Sequence, residues 1–63
     1  MEQSDFYSVF CSLMRINGKV KMKTLAKSSE LGLAQANKMV ETLLAENKIK
    51  KIGNGRSTAY VFY

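Results

Sequence analysis

The stretch from Leu25 to Asn47, LAKSSELGLAQANKMVETLLAEN, constrains the fold more than any other. Ala36, Val40, Leu43 and Leu44 recur at the spacing of one helical stripe, so that face packs inward. Gln35, Asn37, Lys38, Glu41 and Thr42 are left outside. Ahead of this helix, Met22 to about Glu30 reads as a shorter one with Leu25 and Ala26 inward. Lys21 occupies its N-cap place, so its first turn lacks a capping side chain. Gly32 takes positive φ without strain and is the expected corner. The longer helix then runs from Leu33 to Glu46, and Asn47 is suited to end it. A helix held end-on by a preceding short one, with a polar N-terminal half facing out, is what a DNA major groove accepts.

Upstream, Ser4 is the expected N-cap of a first helix from Asp5 to Ile16, with Phe6, Val9, Phe10, Leu13 and Ile16 as its inward stripe. Tyr7, Cys11 and Met14 form a second apolar row on that helix. The two rows span an arc of about 220°, leaving Asp5, Ser8, Ser12 and Arg15 as a narrow wet face. Two readings stay open. Either the C-terminal hairpin and its aromatics cover the second row, or Tyr7, Cys11 and Met14 form a self-association surface for a homodimer. Asn17-Gly18 supplies a left-handed stop, and Lys19 to Met22, with Val20 and Met22 on one side, suits a brief edge strand.

After Asn47 the period changes from helical to alternating. Lys48 to Ile52 and Ser57 to Tyr63 are extended segments joined by Gly53-Asn54-Gly55-Arg56. Asn-Gly between such runs signals a hairpin through a type I′ turn, which needs positive φ at both central residues. That turn sets Ile49 opposite Tyr60 and Lys51 opposite Thr58, with Ile52 on the other face, so a bulge or longer loop leaves the register open.

Charge narrows the partner. The net charge is +5 and the pI about 9.6, which points to a polyanion, nucleic acid before an anionic membrane. Lys19, Lys21, Lys23 and Lys27 lie in one run without an acid, and Lys48, Lys50, Lys51 and Arg56 in another. Both frame the long helix in the expected fold. The rival explanation is that lysines keep a strand edge soluble and unpaired.

Other classes are disfavoured. No apolar run approaches the ~18 residues of a membrane span, and the acidic start, Met1 to Asp5, has no secretory-signal character. One cysteine and no histidine leave neither an internal disulfide nor a Cys-His nucleophile or zinc site, so no metal, cofactor or small-molecule ligand is expected. Glu30, Glu41 and Glu46 are isolated carboxylates and there is no phosphate-binding Walker loop, so catalysis is not expected. At 63 residues the chain is expected to be one domain, 1–63, with a small core: a chain of this size buries only ~60% of the surface its unfolded form exposes.

The order of helix, short strand, helix, turn, helix and basic hairpin resembles the winged helix-turn-helix superfamily, over essentially the whole chain. Leu25-Ala26, Leu31-Gly32-Leu33, the Ala36, Val40, Leu43 stripe, Asn47-Lys48-Ile49 and the wing IKKIGNGRSTAYVF carry the resemblance. It departs where Lys27, Ser28, Ser29 and Glu30 separate the Leu-Ala pair from the turn glycine. Asn37-Lys38 is also similar to the Asn-Arg pair of the winged helices that bind left-handed DNA. Glu41, Leu33 and the absence of proline break that match, so left-handed DNA is not the expected target.

What the resemblance implies is an α+β winged helix-turn-helix of three helices, a short strand and a C-terminal β-hairpin wing. The expected function is sequence-specific binding of double-stranded DNA by a prokaryotic or viral transcriptional regulator in the cytoplasm, most simply a repressor that occupies its site. The recognition helix, 33–47, would enter the major groove, and the wing, 48–63, would lie on backbone or minor groove. Gln35 and Asn37 can pair with adenine, and Lys38 with guanine or a phosphate. Lys23, Thr24, Ser28, Lys50, Lys51 and Asn54 would meet the backbone, and Arg56 at the wing tip suits a narrow minor groove. The alternative function is a protein-interaction module in a larger assembly, favoured by the apolar second row and by Glu41 on the reading face. Tyr60, Phe62 and Tyr63 are expected to pack the wing onto the core rather than to stack on bases.

Overall fold

Phe6 and Phe10, both fully buried, set the centre of the core. The computed structural model describes residues 1–63. They form helices α1 (Gln3–Asn17), α2 (Met22–Ser28) and α3 (Leu33–Ala45), strands β1 (Ile49–Ile52) and β2 (Ala59–Phe62), and a 3₁₀ turn at Gly55–Ser57. This is a small α+β fold of three helices and an antiparallel hairpin, a layout consistent with a winged helix. One cluster joins Phe6, Phe10, Val20, Leu25, Ala26, Ala36, Met39, Val40, Leu43, Ile49 and Tyr60. No helix is long and apolar enough to cross a membrane.

The first helix starts at Gln3, not Asp5, so Ser4 is not its cap but its second residue. Gln3 reaches across to donate from Nε2 to the Met39 carbonyl at 2.9 Å, which ties the helix start to α3. The buried row of α1 also lies between the two expected ones. Phe6 and Phe10 point straight in, with Val9 and Leu13 half-buried on one flank and Tyr7, Cys11 and Met14 on the other. Ile16 is 76% exposed, contrary to expectation, because at 100° per residue it falls about 100° from the Phe6–Phe10 direction. Gly18, at φ 76°, makes the expected left-handed stop, its N–H on the Met14 carbonyl.

Between α2 and α3 the corner is Glu30 rather than Gly32. The α2 helix ends at Ser28, and the Ser29 hydroxyl donates back to the Leu25 carbonyl. Glu30 takes the left-handed conformation, φ 59°, so its N–H reaches Lys27 and the Leu31 N–H reaches Ala26. Those two bonds are a Schellman closure built on a glutamate instead of a glycine. Gly32, at φ −70° and ψ 159°, is then simply the extended N-cap of α3. The same closure recurs where Asn47, φ 57°, ends α3, with its N–H on Leu44 and that of Lys48 on Leu43.

The expected edge strand shrinks to one residue, because α2 already begins at Met22. Val20 and Tyr60 exchange backbone hydrogen bonds at 2.9 and 2.7 Å, so Val20 flanks β2 on the side away from β1. In the hairpin Ile49 faces Phe62 and Lys51 faces Tyr60, two residues out of the expected register. Since side chains alternate with period two, the shift keeps every residue on its expected face: Ile49 is buried and Ile52 exposed. The tight type I′ turn gives way to a longer loop, 53 to 58, because Asn54 is extended at φ −153° while Gly53 and Gly55 are left-handed. The second strand therefore begins at Ala59, not Ser57.

Phe62 stands edge-on to Phe10, with ring centroids 5.6 Å apart, and to Tyr7 at 6.5 Å. The C-terminal strand thus covers part of the second apolar row, one of the two explanations held open for it. Tyr63 does not share in this packing. Its side chain is 72% exposed, and only its N–H is engaged, by the Lys48 carbonyl.

Candidate nucleic-acid interface

The α3 helix turns Ala36, Met39, Val40 and Leu43 into the core, which leaves the rest of its circumference to solvent. Its first half exposes Leu33, Ala34, Gln35, Asn37 and Lys38 in nearly unbroken succession. The spacing of the apolar stripe forces this: the stripe fills one side, and no other element lies over the opposite side. At ~1.5 Å per residue the 13-residue helix is about 20 Å long, enough to follow a groove across several base pairs.

The Gln35 side chain makes no hydrogen bond within the chain, whereas Asn37 donates from Nδ2 to the Leu33 carbonyl at 3.0 Å. That bond lays the Asn37 amide back along the first turn and leaves its Oδ1 and one N–H free. Thr42 donates to the Lys38 carbonyl at 3.3 Å, one turn further on. Glu41 is exposed on the same helix without a cationic partner. Lys38 is likewise exposed and unpaired.

The two basic runs come from different elements and meet at the hairpin. The Val20–Tyr60 pairing lays the segment carrying Lys19 and Lys21 alongside β2. There the Lys21 ammonium donates to the Arg56 carbonyl at 3.4 Å, linking the first run to the tip of the wing. Lys23, Thr24 and Ser28 are exposed on α2, the helix that packs against α3. Lys50, Lys51, Asn54 and Arg56 are exposed along β1 and the loop after it. All ten residues singled out from the sequence as DNA contacts are therefore at the surface. Lys21, in the alternating lysine run, is exposed beside them.

One ion pair exists in the molecule, Lys48 to Glu46 at 3.7 Å, so nine of the ten cations have no carboxylate partner. Lys48 also lies 5.3 Å from the centre of the Tyr7 ring, which ties it to the aromatic side of the fold. Apart from Arg15 on α1, the unpaired cations lie on α2 and the segment before it, on α3 and on the wing. A counterion atmosphere must balance their charge in the free protein, and a polyanion would displace those ions. The surface contains no pocket.

Tyr7, Cys11 and Met14 are half-buried rather than open. Burial, with the Cys11 sulfur beside it, raises the Tyr7 hydroxyl above its ordinary value. No family profile matches the chain, and no curated protein or solved structure matches it either.

Proposed function

We propose that this chain is a winged helix-turn-helix domain that binds double-stranded DNA and regulates transcription, without catalysis, by occupying its site. The observation that carries the reading is the exposed first half of α3, with Gln35, Asn37 and Lys38 all at the surface, flanked by a wing and an α2 whose cations have no carboxylate partners. In the proposed complex α3 enters the major groove, where Gln35 and Asn37 pair with adenine edges and Lys38 with guanine or a phosphate. Lys23, Thr24 and Ser28 hold one backbone, Lys50, Lys51 and Asn54 the other, and Arg56 enters the minor groove. The link from Lys21 to the Arg56 carbonyl supports this role for the wing, because it fixes the loop that presents the arginine.

Such a regulator acts on a bacterial nucleoid or a viral genome in the cytoplasm. A homodimer through Tyr7, Cys11 and Met14 would place two half-sites about one helical turn apart. The second reading is docking to another protein, and one observation favours it: Phe62, edge-on to Tyr7, and the terminal Tyr63 leave aromatic surface exposed, 43% and 72%.

Alanine at Lys38 and at Arg56, set against alanine at Tyr7, separates the two. Loss of duplex binding in the first pair with the melting curve unchanged supports DNA. Loss of activity only at Tyr7, with duplex binding absent from the start, supports docking.

A further inference from the structure

Leu33 opens α3 and is 52% exposed. The other large apolar side chains at the surface, Met1, Ile16, Ile52, Phe62 and Tyr63, lie on other elements, so Leu33 is the one that stands on the proposed reading helix. It has a fixed neighbour there. Asn37, one turn on and about 40° around the helix, donates its Nδ2 to the Leu33 carbonyl at 3.0 Å. The amide of Asn37 is thus held within one turn of the exposed Leu33, an apolar branched side chain and a free amide edge both at the start of α3.

Only one kind of base pair offers a matching apolar element in the major groove. An A·T pair shows the adenine N7 and N6 edge, which suits an amide, and the thymine 5-methyl group, which suits a hydrocarbon; cytosine has no methyl there. We infer that Leu33 is a specificity residue that packs on a thymine 5-methyl group while Asn37 reads the neighbouring adenine. The inference rests on the DNA reading and narrows it to a target with an A·T step beneath the start of α3. It also agrees with the wing, since a minor groove narrow enough to attract Arg56 is a property of A·T tracts.

Deoxyuridine isolates the methyl, because it pairs as thymidine does and lacks only that group. Duplexes enriched from a randomised library by the wild-type protein are resynthesised with deoxyuridine at one thymidine at a time, and binding is followed by anisotropy. At one thymidine in each bound site the substitution lowers wild-type affinity about fourfold, the value of burying one methyl group. Leu33→Ala binds the two forms equally and keeps the wild-type salt dependence, whereas Leu33→Met restores the difference. Leu33 is exposed, so neither change opens a cavity, and circular dichroism verifies the fold. If no deoxyuridine position matters, or if Leu33→Ala keeps the wild-type preference, the inference is wrong while DNA binding stands. Failure to bind any duplex overturns both.

Discussion

Alanine at Gly53, compared with alanine at Gly55, tests the geometry of the wing. Both glycines are left-handed, φ 72° and 56°, so an L side chain at either costs about 1 kcal/mol in backbone strain. Their surroundings differ. A Cβ at Gly53 would lie 2.4 Å from the Ser57 carbonyl oxygen and 2.9 Å from its carbonyl carbon, whereas one at Gly55 meets nothing within 4 Å. The atoms in the way are backbone, so no rotamer change relieves them, and Ser57 must move. Its N–H bond to the Asn54 carbonyl, 3.0 Å, and the Thr58 bond to Gly55, 3.3 Å, are the contacts at stake. Adding ~1–3 kcal/mol for overpacking gives about 2–4 kcal/mol for Gly53→Ala, against about 1 kcal/mol for Gly55→Ala. Urea unfolding reads the difference directly, provided the slopes agree. Duplex binding should follow the same order, because Arg56 lies inside the displaced turn. Equal midpoints for the two variants would refute the close approach of Ser57 to Gly53, and with it the account of how the loop is held.

Three further outcomes are expected. Glu30→Gly removes left-handed strain at the α2–α3 corner and stabilises the fold by about 1 kcal/mol, a rise of about 4–8 °C in Tm for a domain of this size. An unchanged Tm would contradict the corner described. Phe10→Ala empties a fully buried site against Tyr7 and Phe62, costing ~3–5 kcal/mol. Such a loss takes most of the stability a small domain has, so the circular dichroism spectrum should show unfolding near room temperature. For Tyr7 the folded hydroxyl titrates above its ordinary value of 10.0, through burial and then the adjacent Cys11. The stability this carries is whole below the unfolded pKa and is lost as pH rises through the folded one. Urea midpoints of wild type should therefore fall more steeply above about pH 10 than those of Tyr7→Phe; parallel curves would deny the effect.

Sequence and structure agree where one strong period acts alone. The stripe of α3 has no competitor, so its boundaries and outward residues are read correctly to within a residue and Asn47 ends it as a left-handed residue should, although Met39 is buried outside the expected stripe and Leu44 within it is only half-buried. On α1 two apolar rows compete. Periodicity shows their width but not which direction the sheet will claim, and burial settles between them, leaving Ile16 outside. The α2–α3 corner escapes notice because a glycine two residues away looks better suited to positive φ than Glu30 does. There the Ser29 back-bond to Leu25 and the reach of Leu31 to Ala26 outweigh the local preference. The hairpin register misses by two because Asn54-Gly55 favours a tight turn, while the packing of Ser57 on Gly53 makes a longer one. The exposed polar and basic residues are legible one by one from their positions off the stripe. Their grouping is not, since the bond from Lys21 to Arg56 joins residues 35 apart through a strand pairing of a single residue.

The central claim is that the unpaired cations of α2, α3 and the wing act together on one polyanion, duplex DNA. Anisotropy of a labelled duplex measured across a range of salt concentrations tests it most directly. With Lys23, Lys38, Lys50, Lys51 and Arg56 each on a phosphate or in a groove, log K should fall against log salt with a slope of about −4 to −5, and by roughly one less for each residue removed. A flat dependence, or a slope that Lys38→Ala and Arg56→Ala leave unchanged, would contradict it.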